Sequence, residues 1–462
     1  MKKITILLLL VLLCSINIYT KEMFGWGSNS YGQLGIADTC LPANISNSND
    51  WKYVSCGKSH SVGIKLDGTL WAWGANNYGQ LGDGTTISKT SPMQVGTDSD
   101  WAVVSCGDAY SIAIKTDGTI WGWGSNEFGQ LGDTTRINKS YPIQIGTDKD
   151  WVTVSCGATH SLAIKTDATL WAWGQNNQGQ LGNGTKVDVI VPTQIGMLQK
   201  WATVSCGYTH TLATCTDGTL WAWGRNMYGE LGNECFYPAQ IPEKIGTDKT
   251  WAKVSCGVSF SIAIKSDGTL WGWGENRFGQ LGDGTLIDSK TRLQIGIDTN
   301  WSNIFSSATQ SFGIKTDGTL WAWGANGSGQ LGDGTKINRN SPVQIGVGTK
   351  WSRVACGSSH TIALADDEQS VELLPNDSQQ LSLYPNPTND NIELQINFSE
   401  SITADVKVYD LQGNELMIVF AGLLPQGETK MQINCGTLSN GTYNVVVQIK
   451  DKSISKRFVV AR

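Results

Sequence analysis

Large and small apolar residues alternate along short stretches of the chain, and the same stretches return at a fixed distance. Within residues 51–74, W-x-x-V-S-C-G is followed by S-V-G-I-K and then by L-W-A-W-G. This alternation predicts short strands that are packed on both faces. A D-G-T turn separates the second strand from the third, and glycine adopts the positive φ of such a turn at low cost.

The repeat has a period of 50 residues, with neither insertion nor deletion. The leading tryptophans are Trp51, Trp101, Trp151, Trp201, Trp251, Trp301 and Trp351. Six cysteines starting at Cys56 keep the same period, and Ser306 takes the remaining place. Each unit contains four strands, which is the size of a propeller blade. In one unit Ala168 replaces the turn glycine, at a cost of roughly 1 kcal/mol.

The two ends of the repeat array are complementary halves of a unit. Residues 23–50 hold only a third and a fourth strand, and residues 351–366 hold only a first and a second. Together they complete one blade, and closure by both ends removes exposed sheet edges. With six whole units, the sequence predicts an all-β, seven-bladed β-propeller over residues 23–366.

The repeat residues quoted above resemble those of the regulator-of-chromosome-condensation family. The resemblance rests on C-G-x-x-H-S/T, D-G-T-L-W-x-W-G and N-x-x-G-Q-L-G-D-G-T, in register along the array. It implies the propeller fold, but not a single function, since such propellers host unrelated roles. The family includes nuclear guanine-nucleotide exchange factors and a secreted bacterial β-lactamase inhibitor that binds through one propeller face.

The N-terminus has the features of an export signal. Lys2 and Lys3 precede an apolar run from residue 4 to residue 13, which is too short to span a membrane. We therefore expect a signal peptide over residues 1–22 and no transmembrane segment in the mature chain. Cys14 raises the alternative of a lipoprotein, although Leu13 is a poor residue before a lipidated cysteine.

The 50-residue repeat ends at residue 366, and a different pattern of apolar and polar residues follows. Residues 367–380 are polar and predict a linker, and residues 381–462 predict a small Ig-like antiparallel β-sandwich. The segments L-Y-P-N-P, V-Y-D-L-Q-G and L-S-N-G-T-Y resemble the C-terminal sorting domain of the type IX secretion system of Bacteroidetes-like bacteria. The resemblance implies contact with the secretion machinery, removal of the tail, and a protein that is released or attached to the outer-membrane surface. The alternative is an ordinary Ig-like appendage.

The tryptophans and most of the cysteines, which could otherwise suggest sugar-binding or metal-binding sites, belong to the repeat itself. All 20 tryptophans fall in repeat columns, which favours core packing over sugar stacking. The periodic cysteines are interpreted as small buried thiols, because Ser306 would break a metal ring. A disulfide between Cys215 and Cys235 remains an alternative, since export permits disulfides. The strand order, however, places the two cysteines toward opposite ends of their blade. No catalytic motif occurs, so we expect no enzyme activity, no cofactor and no metal.

Comparison of the units shows which columns vary. The turn between the second and third strands is nearly constant, whereas the positions after the first and third strands change. In an up-and-down blade these two loops emerge on the same side, so the variable columns are predicted to share one face, whose composition is typical of interaction hot spots. The candidate partner-binding residues are Tyr31, Lys58, His60, Tyr78, Tyr110, Phe128, His160, Tyr208, His210, Arg225, Met227, Tyr228, Phe260, Arg277, Phe278 and His360.

These observations favour a monomeric, secreted or surface-attached propeller that binds an extracellular protein. A glycan-binding or adhesive module is the alternative, and neutral drift at unconstrained positions would also produce variable columns. The net charge of −6 argues against nucleic acid as a partner. Exchange-factor activity is disfavoured by this charge, by the export signal and by the lack of an insertion between blades.

Overall fold

The computed structural model describes residues 21–46, 48–366, 382–398, 401–410, 415–449 and 452–462. Strands and turns make up these residues, and helices are absent from them, so they contain no helix that could cross a membrane. The linker expected at 367–380 lies outside the described residues. So does the expected signal peptide, except for its last two residues, which begin the first strand.

The strands follow the order expected of a propeller and an appended sandwich. In the propeller they are β1 (Lys21–Gly27), β2 (Thr39–Asn44), β3 (Trp51–Cys56), β4 (His60–Lys65), β5 (Leu70–Gly74), β6 (Lys89–Gln94), β7 (Trp101–Cys106), β8 (Tyr110–Lys115), β9 (Ile120–Gly124), β10 (Lys139–Gln144), β11 (Trp151–Cys156), β12 (His160–Lys165), β13 (Leu170–Gly174), β14 (Val189–Ile195), β15 (Trp201–Cys206), β16 (His210–Cys215), β17 (Leu220–Gly224), β18 (Ala239–Lys244), β19 (Trp251–Cys256), β20 (Phe260–Lys265), β21 (Leu270–Gly274), β22 (Ser289–Gln294), β23 (Trp301–Ser307), β24 (Gln310–Lys315), β25 (Leu320–Gly324), β26 (Arg339–Ile345), β27 (Trp351–Cys356) and β28 (His360–Asp366). In the tail they are β29 (Ser382–Tyr384), β30 (Asn391–Phe398), β31 (Ile402–Tyr409), β32 (Glu415–Leu424), β33 (Gly427–Asn434), β34 (Gly441–Ile449) and β35 (Lys452–Val460).

Seven four-stranded antiparallel sheets form the propeller in the described residues. Blades 1 to 6 are β3–β6, β7–β10, β11–β14, β15–β18, β19–β22 and β23–β26. Blade 7 has the order β2-β1-β28-β27, so the first strands of the chain pair with the last strands of the array. The prediction of seven blades, one of them closed by both ends, is confirmed.

In five of the six W-x-W segments, the second tryptophan donates a hydrogen bond to the preceding blade. Trp123 donates its indole N–H to the backbone carbonyl of Gln80 in the preceding blade, at 2.9 Å. The hydroxyl of Ser111 donates to the same carbonyl at 3.2 Å. Trp101 packs edge-on against Trp123, with ring centroids 6.0 Å apart. Large rings therefore fill the space between blades, and a ring such as Trp123 also pairs its indole N–H across the gap, whereas the N–H of Trp101 is buried without a partner.

The constant turns between the second and third strands lie on one face, which we call the base. Each turn contacts the start of the next blade: Trp101 donates its backbone N–H to the carbonyl of Gly68 at 3.1 Å. Lysines complete this face by lying over two tryptophan rings each. The Nζ of Lys115 is 4.8 Å from the rings of both Trp101 and Trp121, and 2.6 Å from Asp98.

Five blades carry such a lysine, namely Lys65, Lys115, Lys165, Lys265 and Lys315. Cys215 and Ala365 occupy the other two positions. In blade 7 a cation comes from the tail instead: the guanidinium carbon of Arg457 lies 4.7 Å from the Phe24 ring, and Nη1 is 3.0 Å from Glu22. In blade 7 the tail thus supplies the cation–aromatic contact that the repeat itself lacks.

The tail forms two antiparallel sheets, β29-β30-β33 and β32-β31-β34-β35. Their inner faces enclose a core that includes Leu394, Ile396, Val406, Val445 and Phe458. Along β30 and β31 buried residues alternate with more exposed ones, as in a sandwich with one face toward water. The expected β-sandwich is confirmed.

Candidate partner-binding face

The loops after the first and third strands lie on one face of the propeller, which we call the variable face. In blade 4 the backbone N–H of Arg225 donates to the carbonyl of Thr209 at 2.9 Å, and Ala75 and Ser59 form the same bond in blade 1 at 2.8 Å. These bonds join the loop after the third strand to the loop after the first. The variable columns therefore do share one face.

One predicted column is buried beneath this face and is corrected here. A partner on the surface cannot touch these side chains, because each is fully enclosed between two blades. His60 contacts the Ser111 hydroxyl through Nε2 at 3.0 Å, and Tyr110 donates its hydroxyl to the carbonyl of His160 at 2.5 Å. The residues that leave the candidate surface for this reason are His60, Tyr110, His160, His210, Phe260 and His360.

The buried histidines are neutral parts of the scaffold. Burial lowers the pKa of each of the four imidazoles from 6.5 to about 3. The same column holds Gln310, which donates to the carbonyl of Gly357 in the next blade at 2.7 Å. His, Tyr and Gln therefore serve one purpose here, which is to reach across to the neighbouring blade. Phe260 fills the same space without a polar contact of this kind.

The remaining predicted residues have surface positions. Lys58, Tyr78, Phe128, Tyr31 and Phe278 are exposed or half-buried. They project from four different blades around the ring, since Lys58 and Tyr78 both belong to blade 1. Tyr208, Arg225, Met227, Tyr228 and Arg277 all come from blades 4 and 5. Only the second group gathers its members on adjacent loops.

A central cavity of about 320 Å³ opens on this face and is lined by the periodic cysteines. The Cys156 thiol points to the Ser105 carbonyl of the preceding blade, at 3.3 Å. Burial raises the pKa of Cys106 to about 12 and that of Cys156 to about 11, so these thiols stay protonated. In the described part of the chain no three His, Cys, Asp or Glu side chains are grouped so as to hold a metal ion.

The disulfide question is answered by the positions of the two cysteines. Cys215 is buried at the end of β16 near the base, whereas Cys235 lies in the loop after β17, on the variable face. Both are free thiols, as are the other eight described cysteines. Cys235 takes the place that Thr85 has in blade 1, and its thiol lies 3.1 Å from the side-chain oxygen of Asn233.

Blades 4 and 5 carry a cluster of two arginines, two glutamates and a tyrosine on the variable face. The guanidinium carbons of Arg225 and Arg277 each lie 5.2 Å from the centroid of the Tyr228 ring. Arg225 approaches Glu230 to 3.8 Å, and Arg277 approaches Glu275 to 3.7 Å. The cluster thus places two cations around one aromatic ring, with one carboxylate behind each.

Glu230 is the unusual member, because the other six units have glutamine at this position. The glutamine oxygen accepts the backbone N–H two residues earlier, as from Tyr78 to Gln80 at 2.9 Å. Glu230 keeps that bond with one oxygen, which accepts from Tyr228 at 2.7 Å. Its second oxygen is buried without a hydrogen bond, and burial raises the pKa of the carboxyl.

Exposed apolar side chains extend this cluster along blade 4. Met227 is 67% exposed, Tyr208 46%, Phe236 51% and Tyr237 79%. Lys290 of blade 5 lies 5.3 Å above the Phe236 ring. Blade 4 departs from the repeat at each of these positions and gives the variable face its largest concentration of exposed aromatic residues and methionine.

The sequence of this propeller matches that of a known protein family. A sequence model of the RCC1-like domain matches residues 14–294, which is more than half of the chain. The chain belongs to the RCC1-like domain family. The regulator of chromosome condensation (RCC1) repeat also matches, over residues 317–364. No curated protein sequence matches the chain.

Solved RCC1-type propellers have the same fold. Human WBSCR16 superimposes with a TM-score of 0.68 at 22% identity, over 74% of this chain and 99% of that one. Yeast RCC1 (Prp20) bound to Kap60 gives a TM-score of 0.69 at 18% identity, over 76% and 90%. Prp20p from Saccharomyces cerevisiae, described with its binding to Gsp1p and histones, gives 0.69 at 20% identity, over 75% and 92%. At these identities the similarity shows the fold alone.

The tail of this RCC1-like protein matches the secretion system C-terminal sorting domain over residues 382–461. Such a tail indicates secretion, with a final place on the cell surface or outside the cell. The protein is therefore a secreted β-propeller.

Three residues of this RCC1-like chain that contact the two arginines, Glu230, Glu275 and Ser259, are not among the residues predicted from the sequence. Ser259 accepts a hydrogen bond from Nη1 of Arg225 at 3.0 Å. Glu230 can be recognised in the sequence, since it is the one glutamate in a repeat position that is otherwise glutamine. Ser259 cannot, because its contact crosses from one blade to the next.

Proposed function

We propose that this secreted propeller binds a protein partner through its variable face, at the loops of blades 4 and 5. The observation that carries the proposal is the concentration of Tyr208, Met227, Tyr228 and Phe236 beside two arginines on adjacent loops. Tyrosine and arginine dominate the residues that contribute most to protein interfaces, and an exposed aromatic patch on a monomer marks an interaction site.

The scaffold supports this function because other residues form the packed core between and within the blades. The tryptophans, the lysines of the base and the buried histidine column all act in packing between or within blades. Tyr208, Met227 and Phe236 are exposed and Arg225 and Tyr228 are half-buried. The backbone of these loops is fixed by hydrogen bonds such as that from Arg225 to Thr209. A rigid backbone that presents exposed anchors lowers the entropic cost of binding.

Affinity capture with matched variants tests the proposal. The full chain is immobilised and exposed to surface proteins of the producing and neighbouring cells, in parallel with Tyr228→Ala and Tyr78→Ala. Both tyrosines occupy the same column, but Tyr78 lies in blade 1. We expect a captured protein whose affinity falls about tenfold or more with Tyr228→Ala and stays unchanged with Tyr78→Ala.

Two results would contradict the proposal. Equal losses with both variants would remove blades 4 and 5 from the interface. Binding on a glycan array that depends on Tyr228, with no captured protein, would favour the glycan-binding alternative instead.

A further inference from the structure

The side chains around Tyr228 point to the chemistry of the partner. The guanidinium carbons of Arg225 and Arg277 lie at equal distances of 5.2 Å from the ring centroid. Both arginines are therefore held against the same ring, and the planar N–H donors of each guanidinium group match the two oxygens of a carboxylate.

The glutamates of the cluster lie deeper than the arginines. Glu230 has a fully buried side chain, whereas that of Arg225 is 21% exposed. In the second pair, the side chain of Glu275 is 14% exposed and that of Arg277 62%. Each pair therefore presents its positive end to solvent and its negative end to the blade.

The internal contacts leave donors available on both arginines. The distances of 3.8 and 3.7 Å to Glu230 and Glu275 exceed hydrogen-bonding range. Arg225 spends one donor on the Ser259 hydroxyl at 3.0 Å. A guanidinium has five N–H donors, so most of them remain for a ligand. The glutamates hold the arginines in place by charge without occupying their hydrogen-bonding edges.

The surroundings favour a peptide over a small free anion. Met227 lies two residues after Arg225 and is largely exposed, and Phe236 adds an exposed ring in the same loop. Apolar side chains beside a carboxylate site suit a polypeptide in which acidic and apolar residues are interspersed.

We propose that Arg225 and Arg277 bind side-chain carboxylates of an acidic segment in the protein partner, with Tyr228 holding both guanidinium groups against one ring. This inference rests on the proposed function, since it names the chemistry recognised by the same face. The match of a guanidinium group to a carboxylate is the central contact. Met227 and Phe236 flank it with apolar surface.

A labelled polyglutamate peptide is the probe, and fluorescence anisotropy with the full chain is the measurement. We expect Arg277→Gln to weaken binding about tenfold, which is the cost of losing one charge-assisted contact. Arg136→Gln is the matched control, because Arg136 is an exposed arginine in a blade 2 loop, paired with Asp188 at 3.4 Å. It should leave the affinity unchanged.

Glu230→Gln tests the same contact in the opposite direction. It installs the residue found in the other six units, so the blade keeps its fold, and it removes the carboxylate that opposes an incoming anion. We expect the affinity for polyglutamate to rise a few-fold, by about the strength of one partly screened charge interaction. Thermal unfolding of each variant checks that the fold is intact.

Three results would overturn the inference. Equal affinity of the wild-type chain and Arg277→Gln would remove the carboxylate contact, and a lower affinity of Glu230→Gln would show that Arg225 only neutralises its neighbour. Binding of alginate with no binding of polyglutamate would assign the arginines to an acidic glycan. If the captured partner still depends on Tyr228 in those cases, the proposed function stands and only the carboxylate assignment fails.

Discussion

The base and the variable face of the propeller are built from the same 50-residue unit, yet they use it differently. On the base, turns and lysines contact the next strand or blade, as Lys115 does with two tryptophans and Asp98. On the variable face, a buried layer of histidines lies beneath loops whose outer side chains, such as Met227, have no such duty. The sequence of the base is nearly uniform because its turn backbone and its lysines contact the next strand or blade.

The comparison of the two faces shows that sequence variation between repeat units has two physical causes. The column of His60, Tyr110 and Gln310 varies because several side chains reach across the gap between blades. The column of Arg225 and its equivalents varies because its outer end faces solvent. Both columns look alike along the chain, and only their contacts separate them.

The largest expected effect concerns the buried layer of the variable face. The folded pKa of the four histidines, about 3, lies below their ordinary value near 6.5, so their stabilisation is present above pH 6.5 and is lost as the pH falls toward 3. At pH 5 each histidine should lower the free energy of unfolding by about 2 kcal/mol relative to pH 8. Urea unfolding at both pH values measures the loss.

His60→Gln provides the matched variant for this measurement. Glutamine occupies the same column at Gln310, so the substitution keeps a hydrogen-bonding side chain and removes the titrating group. The pH dependence of its unfolding free energy should be reduced by one proton. An unchanged dependence would show that His60 is not a buried neutral imidazole, and would weaken the division between the two layers.

A smaller effect is expected on the base, from Gly118→Ala. The turn has a φ of 79°, and a Cβ at this position would lie 2.1 Å from the carbonyl oxygen of Lys149. Positive φ and steric overlap together should cost about 2 to 4 kcal/mol in unfolding free energy.

Gly318 has a similar φ of 83°, but there the nearest atom is in the side chain of Lys350, at 3.2 Å. Gly318→Ala should therefore cost only about 1 kcal/mol, and equal losses in chemical denaturation would refute the role of the backbone contact.

The smallest effect is a gain in stability from Ala168→Gly. Ala168 has a φ of 66°, so the positive φ that the turn requires is confirmed at the position where alanine replaces glycine. The following loop is also different, since Gln199 donates to the carbonyl of Gly196 in a tight turn at 3.2 Å. Relief of the unfavourable φ should raise the unfolding free energy by about 1 kcal/mol. A loss of stability would indicate that the alanine methyl group fills space that glycine leaves empty.

The fold was predictable because it depends on spacing and alternation, which are local properties of the chain. A constant period, small residues opposite large rings, and complementary halves at Met23 and Trp351 are sufficient for seven blades and their closure. The docking of Arg457 on Phe24 was not predictable, because it joins residues more than four hundred positions apart without any repeat to relate them.

The candidate site was predictable in part. Arg225, Met227, Tyr228 and Arg277 were selected because their columns vary, and they do share one region of the variable face. The histidine column was selected by the same rule and is buried, since column variation carries no information about depth. Glu230 was overlooked because a glutamate in a glutamine column changes only one charge while preserving the hydrogen bond from Tyr228.

The central claim is that binding uses the loops of blades 4 and 5 while the rest of the propeller is scaffold. Hydrogen–deuterium exchange of the full chain, alone and with its captured partner, tests this most directly. The account predicts partner-dependent protection confined to residues 207–209, 225–237 and 275–278 on the variable face. Protection of the base turns, such as residues 115–119 or 265–269, with no change in blades 4 and 5 of the variable face, would contradict it.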